Sequence, residues 1–597
     1  MDKDKNRFSI ILFFFREYKL QSAIMCGLSI LAGGLEATNI AIIYPILNTA
    51  FEGGFGEQNL ILSIFSRIAN LLPINDAFIA HCVLFIIIAI LTFAIRYATI
   101  AYRMRISTRI VEATQNKIFD KYIKADYQFF TEHKQGELIY NVATAPQRLS
   151  TLITLTTNII SQIILSISVI LLLFSLSWQG TLAVMLIGAL YLSVSRYFAN
   201  RVSYLAGKGV MEAIRESNVI LNEVISGIRQ IKAFAIIEDR ITRFHAVTKK
   251  HWHYSRRRAI WSQIPTPALT LILYFFIGLT AILIRNLVTV NFAELIPIFG
   301  TFAFSVFRLA PIMSTISGLT MEIMGALPDC ETVYSTLNQN LTNIVDGDNQ
   351  IDSFKSKIEL RNVTFSYKEE NKILNNISVT FEKGKTTAIV GRSGSGKTTI
   401  INLLLRLFDV DSGEINIDGL NIRQYKLASW LNKVGIVSQD TFVFNDTIRN
   451  NITFYSNYSD EAVIKAAEFA DAHTFISNLP DGYDTVIGDR GVKLSGGQRQ
   501  RIAVARAMIR EPEILIFDEA TNALDSISES AIQKAIRTLS TDHTLIIIAH
   551  RLSTIIHADK IIVLDNGAIV EEGTQKQLLE NGGTYWQLYQ NQPVETG

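Results

Sequence analysis

The 597-residue sequence predicts two folds in tandem, an α-helical membrane domain of six spans followed by an α/β domain built on a phosphate-binding P-loop. Six apolar runs fall near Leu20–Leu47, Ala77–Ile100, Leu149–Leu176, Thr181–Phe198, Pro265–Ile284 and Phe292–Ile316. Each is roughly 18–28 residues, enough for a helix rising ~1.5 Å per residue to cross ~30 Å of hydrocarbon. Over the last ~250 residues the apolar runs shorten and alternate with polar ones, as in a mixed soluble fold. Within that part, Gly391–Thr399 reads GRSGSGKTT and lies between the apolar run Thr387–Val390 and the helical pattern Ile400–Leu407. That order of strand, glycine loop and helix is what a phosphate-binding loop requires. The expected boundaries are 1–325 for the membrane domain with its extensions, 326–357 for a polar linker and 358–597 for the second domain.

The N-terminus, MDKDKNRFSIILFFFREYKL, lacks a small-residue cleavage site and reads as a surface helix over Phe8–Tyr18, with Arg7, Arg16 and Lys19 among lipid head groups. The segments after the second and fourth runs are long and basic, carrying Arg103, Arg105, Arg109 and Lys117 in one and Arg201, Arg240, Arg243 and Arg256–Arg258 in the other. The opposite connections carry little beyond Arg67 and Arg285. The positive-inside rule therefore puts both basic segments, both termini and the second domain on the cytoplasmic side of the membrane. Those segments run for ~45–60 residues with helical periodicity, so they are expected to be membrane helices that continue into the cytoplasm and turn back. Asp126–Leu138 and Gly227–Phe234 are the expected turns.

A formal net charge of +2 excludes a bulk basic protein that binds nucleic acid through phosphates. Cys26, Cys82 and Cys330 have no metal-ligand spacing and read as buried or lipid-facing thiols. Inside the spans stand Glu36 and Asn39 in the first, Arg96 near the inner end of the second and Arg308 in the sixth. A charge at membrane depth costs at least ~2.5–3.5 kcal/mol, so it faces a cavity or a partner. Glu36 and Arg308 are thus the candidates for a substrate path, with snorkelling or a Glu36–Arg308 pair as the alternative. Arg96 and Arg103 read as interfacial anchors.

In the second domain, glycine-loop amides converge on phosphate oxygens at a helix N-terminus, Lys397 can reach the β- and γ-phosphates, and the Thr398 hydroxyl can ligate Mg²⁺. Downstream, Ile514–Glu519 reads ILIFDE, a buried strand delivering Asp518 and Glu519 at its C-terminal end. Phosphoryl transfer asks for positioning and charge neutralisation, which suits Asp518 as a Mg²⁺ holder and Glu519 as the base that orients water. Leu494–Gln498, LSGGQ, opens a helix, so Ser495 and the Gly496 and Gly497 amides form a second phosphate-binding N-terminus. His550 ends the buried strand Thr544–Ala549, Gln439 follows Val434–Val437, and Tyr367 ends the alternating strand IELRNVTFSY.

These motifs, in this order, resemble the ATP-binding cassette family, and the resemblance covers nearly the whole chain as in bacterial exporters, with their type I/type IV fold. It implies ATP and Mg²⁺ as ligands, with Gly391, Ser393, Gly394, Gly396, Lys397, Thr398 and Thr399 around the phosphates and Tyr367 stacked on adenine. It implies Gln439 on Mg²⁺ and the attacking water, His550 as a switch on the γ-phosphate, and Ser495, Gly496, Gly497, Gln498 and Asp525 in the remaining nucleotide contacts. Two departures stand out: Asn522 replaces a common serine ahead of Ala523-Leu-Asp525, and Val486 and Ile487 stand where a glutamate often precedes Gly488–Gly491. The family encloses ATP between two chains, and intact motifs imply a homodimer with two hydrolytic sites in a lipid bilayer. Gly33–Leu47 and the FRLAP at Phe307–Pro311 look similar to exporters that flip lipid-linked oligosaccharides or glycolipids. A peptide or multidrug exporter is the runner-up, and an ATP-gated channel or regulator the reading from another class.

Overall fold

A computed structural model describes residues 2–16, 19–50, 60–176, 178–287, 292–367, 372–439, 441–518, 543–549 and 555–590. The chain forms two compact units, Met1–Lys124 with Glu132–Leu341, and Ala125–Thr131 with Thr342–Gly597. Residues 125–131, which open the first of the expected turns, are therefore part of the second unit although the membrane unit flanks them in sequence.

In the first unit, helices coincide with each of the six apolar runs. The first run is divided into Lys19–Ala41 and Ile43–Ala50, because Pro45 has no N–H to return to the Ala41 carbonyl. The others are Ala77–Ile123, Gln147–Leu176, Trp178–Phe198, Pro265–Leu287 and Phe292–Asn338. Among the described residues, Lys19–Ala41, Ala77–Ile123 and Gln135–Leu171 are long and apolar enough to cross a membrane. Asp76 starts the second helix by accepting from Phe78 N at 2.8 Å and Ile79 N at 3.2 Å, which satisfies two of the donors a helix start leaves open. At 47 residues that helix is ~70 Å long, so it projects well beyond a bilayer. Phe292–Asn338 has the same length and carries its helix through residues 326–338 of the expected linker.

Thr92, Thr99, Thr157 and Thr320 return their hydroxyls to the carbonyl four residues back at 2.7 Å, so these polar side chains carry no unmet hydrogen bond within an apolar helix. The second basic segment folds as Tyr204–Ser226, Ile228–Ala233 and Ile237–Gln263, turning at Gly227. The helix extensions are locked by buried polar contacts. Asp329 is 4% exposed, accepts from the Tyr140 hydroxyl and lies 3.7 Å from Arg148. Burial raises its pKa, while the Tyr140 hydrogen bond and the Arg148 and Arg258 charges pull it back down.

One expectation is corrected at the N-terminus. The helix Asp2–Arg16 forms, but Arg7 does not face head groups: its guanidinium lies 4.0 Å above the Tyr204 ring and 3.9 Å from Glu331. Phe14 is buried and Phe13 packs edge-on against Tyr334. The amphipathic pattern marks an apolar face, and here protein covers it.

In the second unit a four-stranded antiparallel sheet has the order β2-β1-β4-β5 and a six-stranded sheet the order β10-β9-β3-β8-β7-β6. The strands are β1 Lys357–Ser366, β2 Lys372–Glu382, β3 Thr386–Gly391, β4 Ser412–Ile417, β5 Leu420–Asn421, β6 Val434–Val437, β7 Ile514–Asp518, β8 Thr544–Ile548, β9 Lys560–Asp565 and β10 Ala568–Gly573. Strands β9, β3, β8, β7 and β6 are parallel, and β7 and β8 are buried throughout, as their unbroken apolar runs require. The segment before β1 is docked on this unit: Arg406 donates to Val345 O at 2.6 Å, and Asp346 accepts from Leu427 N at 2.6 Å.

Helix extensions in the first unit meet at glycines. A Cβ on Gly207 would stand 2.2 Å from Gly325 O, whereas one on Gly34 would meet nothing within 4 Å. Gly207→Ala is therefore expected to destabilise the protein by ~1–3 kcal/mol through overpacking, read as a lower unfolding midpoint in detergent. Gly34→Ala should leave that midpoint unchanged.

Candidate nucleotide site

The glycine loop leaves β3 at Gly391 and enters the helix Lys397–Leu404. Gly396 caps that helix at φ +105, a conformation that favours glycine, and a Cβ there would meet Leu374 at 2.6 Å. Gly391 is held by a close approach, since its Cβ would lie 2.1 Å from Leu564 O. Lys397 is buried and its ammonium donates to Gly391 O at 2.9 Å and Arg392 O at 3.0 Å. The charge is thus held against the loop backbone, over which phosphates would sit. Ser393, Gly394 and Thr398 are exposed at the loop and the helix start. The Ser395 Oγ is buried without a hydrogen-bond partner, the kind of orphan that a phosphate oxygen or water in the cradle would satisfy. The loop therefore fits a phosphate ligand.

Sequence alone missed the strap beneath the loop. Gly567 N donates to Ser395 O at 3.2 Å, and Asn375 N donates to Gly567 O at 2.9 Å. Asn566 and Gly567 both have positive φ, 46 and 78, so they form the two-residue turn between β9 and β10 that an Asn-Gly pair signals. That signal was legible, but nothing local tied the turn to the loop.

Tyr367 is half-buried at the end of β1, its hydroxyl 3.2 Å from Thr399 Oγ1 and 3.3 Å from Asn402 Nδ2. Its ring packs edge-on against Phe365 and Phe408 at 5.0 and 5.1 Å. Tyr127, from the first of the two expected turns, stands edge-on to the same Phe408 at 5.6 Å, and Gln128 Nε2 donates to Tyr367 O at 3.5 Å. A chain of rings therefore joins that turn to the edge of the loop.

In the parallel sheet, β7 pairs Val437 of β6 with Phe517 and Ile548 of β8 with Asp518. Gln439, exposed, and Asp518, 7% exposed, thus stand at the carboxyl ends of neighbouring strands. The Gly391 end of β3 lies on the other side of β8, so β8 ends between the loop and the acid, the edge where ligands bind in open α/β sheets. Thr398, Gln439 and Asp518 offer a hydroxyl, an amide oxygen and a carboxylate, hard donors that fit Mg²⁺. Glu519, Asp525 and His550 lie outside the described residues.

The second phosphate-binding element is built as a cap. Ser495 begins the helix Gly496–Met508, its Oγ accepting from Gln498 N at 3.2 Å while Gln498 Oε1 accepts from Ser495 N at 2.9 Å. This capping box satisfies two orphan donors and fixes the helix entry. Ser495 and Gly496 remain exposed and Gly497 is buried. The two elements are on opposite sides of the sheet. Ile514, Ile516, Ile546 and Ile548 pack with Ile400, Ile401 and Leu404 of the loop helix, whereas Leu515, Phe517, Leu545 and Ile547 pack with Ile502–Ala505 of the capped helix. Successive strand residues point to opposite faces, so the sheet separates the two helices.

Of the substrate-path candidates, Glu36 is half-buried and lies 3.6 Å from Arg96, so its partner is the arginine that sequence reads as an interfacial anchor. Asn39 donates to Thr92 at 2.8 Å. The Arg308 side chain lies outside the described residues.

Two family models match the chain: the ABC transporter transmembrane region over residues 23–309 and the ABC transporter domain over 374–522. A heterocyst differentiation ATP-binding protein, HepA, of Nostoc sp. is 33% identical over 595 residues, covering 98% of this chain and 96% of that one. The ATP-dependent lipid A-core flippase of Haemophilus influenzae is 32% identical over 584 residues, covering 94% of each, and that of Syntrophus aciditrophicus is 35% identical over 492 residues, covering 82% and 81%. The fold is shared with a bacterial Atm1-family ABC exporter solved with ATP bound, at a TM-score of 0.77 and 24% identity over 98% of this chain and 99% of that one. With the motifs in place and both halves matched, the chain belongs to the ATP-binding cassette transporters, a transmembrane domain and an ATP-hydrolysing domain carried on one polypeptide.

Proposed function

We propose that two copies of this chain form a homodimer that exports an amphipathic lipid-linked or glycolipid substrate by alternating access. In that dimer each ATP is enclosed between the Gly391–Thr399 loop of one protomer and the Ser495–Gln498 cap of the other. The observation that carries this reading is the opposition of the two helices across the sheet. A cap on the far face cannot complete its own loop's site, whereas a facing copy brings its cap to the loop.

In each composite site Tyr367 stacks on adenine, the loop amides and Lys397 bind the phosphates, and Ser495, Gly496, Gly497, Gln498 and Asp525 complete the enclosure. Thr398, Gln439 and Asp518 hold Mg²⁺, which supplies charge neutralisation on the phosphates when bound. Glu519 orients and deprotonates the attacking water while His550 contacts the γ-phosphate. Closure draws the cytoplasmic helices together and opens the cavity outward, and product release reverses it because separate phosphates no longer bridge the interface. Both termini and the ATPase domain lie on the inner side of the bacterial inner membrane in this reading, which the basic segments after the second and fourth apolar runs support.

The cargo class is supported by kinship with proteins named lipid A-core flippases and by the Gly33–Leu47 and Phe307–Pro311 stretches. A peptide or multidrug cargo is the second reading, since a Glu36–Arg96 pair in the spans also suits charged amphiphiles.

Three outcomes are expected. Glu519→Gln should lower steady-state ATPase by at least ~100-fold while leaving ATP-dependent dimers visible by light scattering; retained turnover contradicts the assignment. Tyr127→Ala should raise the KM for ATP about two- to five-fold with kcat nearly unchanged, because Tyr127 supports the ring that holds Tyr367. In lipid vesicles, polyprenyl-linked saccharides or glycolipids should stimulate ATPase, and stimulation by peptides alone overturns the cargo class.

A further inference from the structure

The membrane unit holds an apolar groove of about 630 Å³ between the helices Trp178–Phe198, Pro265–Leu287 and Phe292–Asn338. Its walls include Leu190, Val194, Ala268, Phe275 and Met321. Ile187 and Ile272 also line a smaller void of about 50 Å³ that reaches Val184, Leu273 and Leu309, so the groove continues toward the bilayer centre. From Val184 to Phe198 it follows the helix for ~21 Å, longer than half of a ~30 Å hydrocarbon layer. The volume lies in the ~300–1,000 Å³ range of ligand sites.

The lining says what kind of group fits. Its hydroxyls are committed: Ser195 and Ser317 bond to each other, and Tyr191 donates to Pro265 O at 2.8 Å. A peptide or sugar placed there would lose its water without gaining hydrogen bonds in return, which disfavours polar groups. An acyl chain loses nothing. The cytoplasmic end is closed by Phe198 stacked on Trp261, ring centroids 4.9 Å apart and planes 19° from parallel, an aromatic pair of the sort that marks a membrane interface. Within about one helical turn of that stack stand exposed Arg201 and Arg257, the first with its guanidinium 5.7 Å from the Tyr197 ring centroid. An apolar channel that ends in a basic rim is complementary to a lipid with a negatively charged head.

We infer that the groove is a binding site for a resident anionic phospholipid of the cytoplasmic leaflet, one acyl chain lying along Trp178–Phe198 and the phosphate at Arg201 and Arg257. The inference rests on the proposed orientation of the chain but is independent of the cargo, because a resident lipid stays through the transport cycle. Its test reads bound lipid rather than transport, so a failed cargo assignment leaves it standing.

The protein, purified from membranes, is exchanged into nanodiscs containing phosphatidylglycerol and phosphatidylcholine in equal amounts, and lipid retained per chain is counted by native mass spectrometry before and after ATP turnover. Retained phosphatidylglycerol in excess over phosphatidylcholine, unchanged by turnover, is expected. Ala268→Phe, which fills the groove, should abolish retention. Arg201→Gln and Arg257→Gln, both at exposed positions, should each lower the headgroup preference by about five-fold while the protein folds and hydrolyses ATP. Retention without headgroup preference, loss of the lipid on turnover as cargo would be lost, or a lipid-free dimer in which a second copy covers the groove would each overturn the inference.

Discussion

The alternation of side chains along β7 and β8 is the constraint on which the rest depends. Because Ile514 and Ile516 face one way and Leu515 and Phe517 the other, the loop helix and the capped helix must grow their cores on opposite faces. Each core is dense and apolar, so neither helix can swing across the sheet without unfolding one of them. Two helix N-termini that each suit an anion are thereby kept apart within a chain, which is the separation that the proposed two-chain ATP site requires.

The same sheet explains how the chemistry is delivered. Parallel strands end together, and β8 between β3 and β7 sets the spacing between the phosphate loop and the acid of Asp518. The loop is rigid for reasons that lie outside it, in the Gly567 strap and in the Tyr367–Thr399 contact. Tyr127 and Gln128 bring residues 125–131 to that same edge, so packed rings connect them to Tyr367. In the membrane unit, long helices meet through glycine contacts and a buried Asp329 cluster.

What was legible in the sequence was whatever chemistry ties to spacing. A cradle for phosphate needs glycines at set intervals before a lysine, an apolar strand needs length, and a bilayer needs about twenty apolar residues per helix; each leaves a local pattern. Pairings across the fold leave none. Glu36 meets Arg96 because the first and second helices run side by side and present those positions to each other. Arg7 read as a head-group anchor since basic residues beside an apolar face have two equivalent uses, and only the packing of Phe13 and Phe14 on protein chooses between them. Ser395 was passed over for Ser393, as burial of a hydroxyl inside a loop has no sequence signature.

Mixed-subunit ATPase tests the shared site most directly. Lys397→Ala removes the loop's charge, and Ser495→Asp keeps a good helix cap while repelling the triphosphate from the other element. Each homodimer has one damaged element in both sites and should be inactive, but a mixed dimer regains one intact site. Co-assembled in equal amounts, the two variants should recover up to about a quarter of wild-type activity. No recovery above the separate variants, with mixed dimers verified by mass, would contradict an ATP site built from two chains.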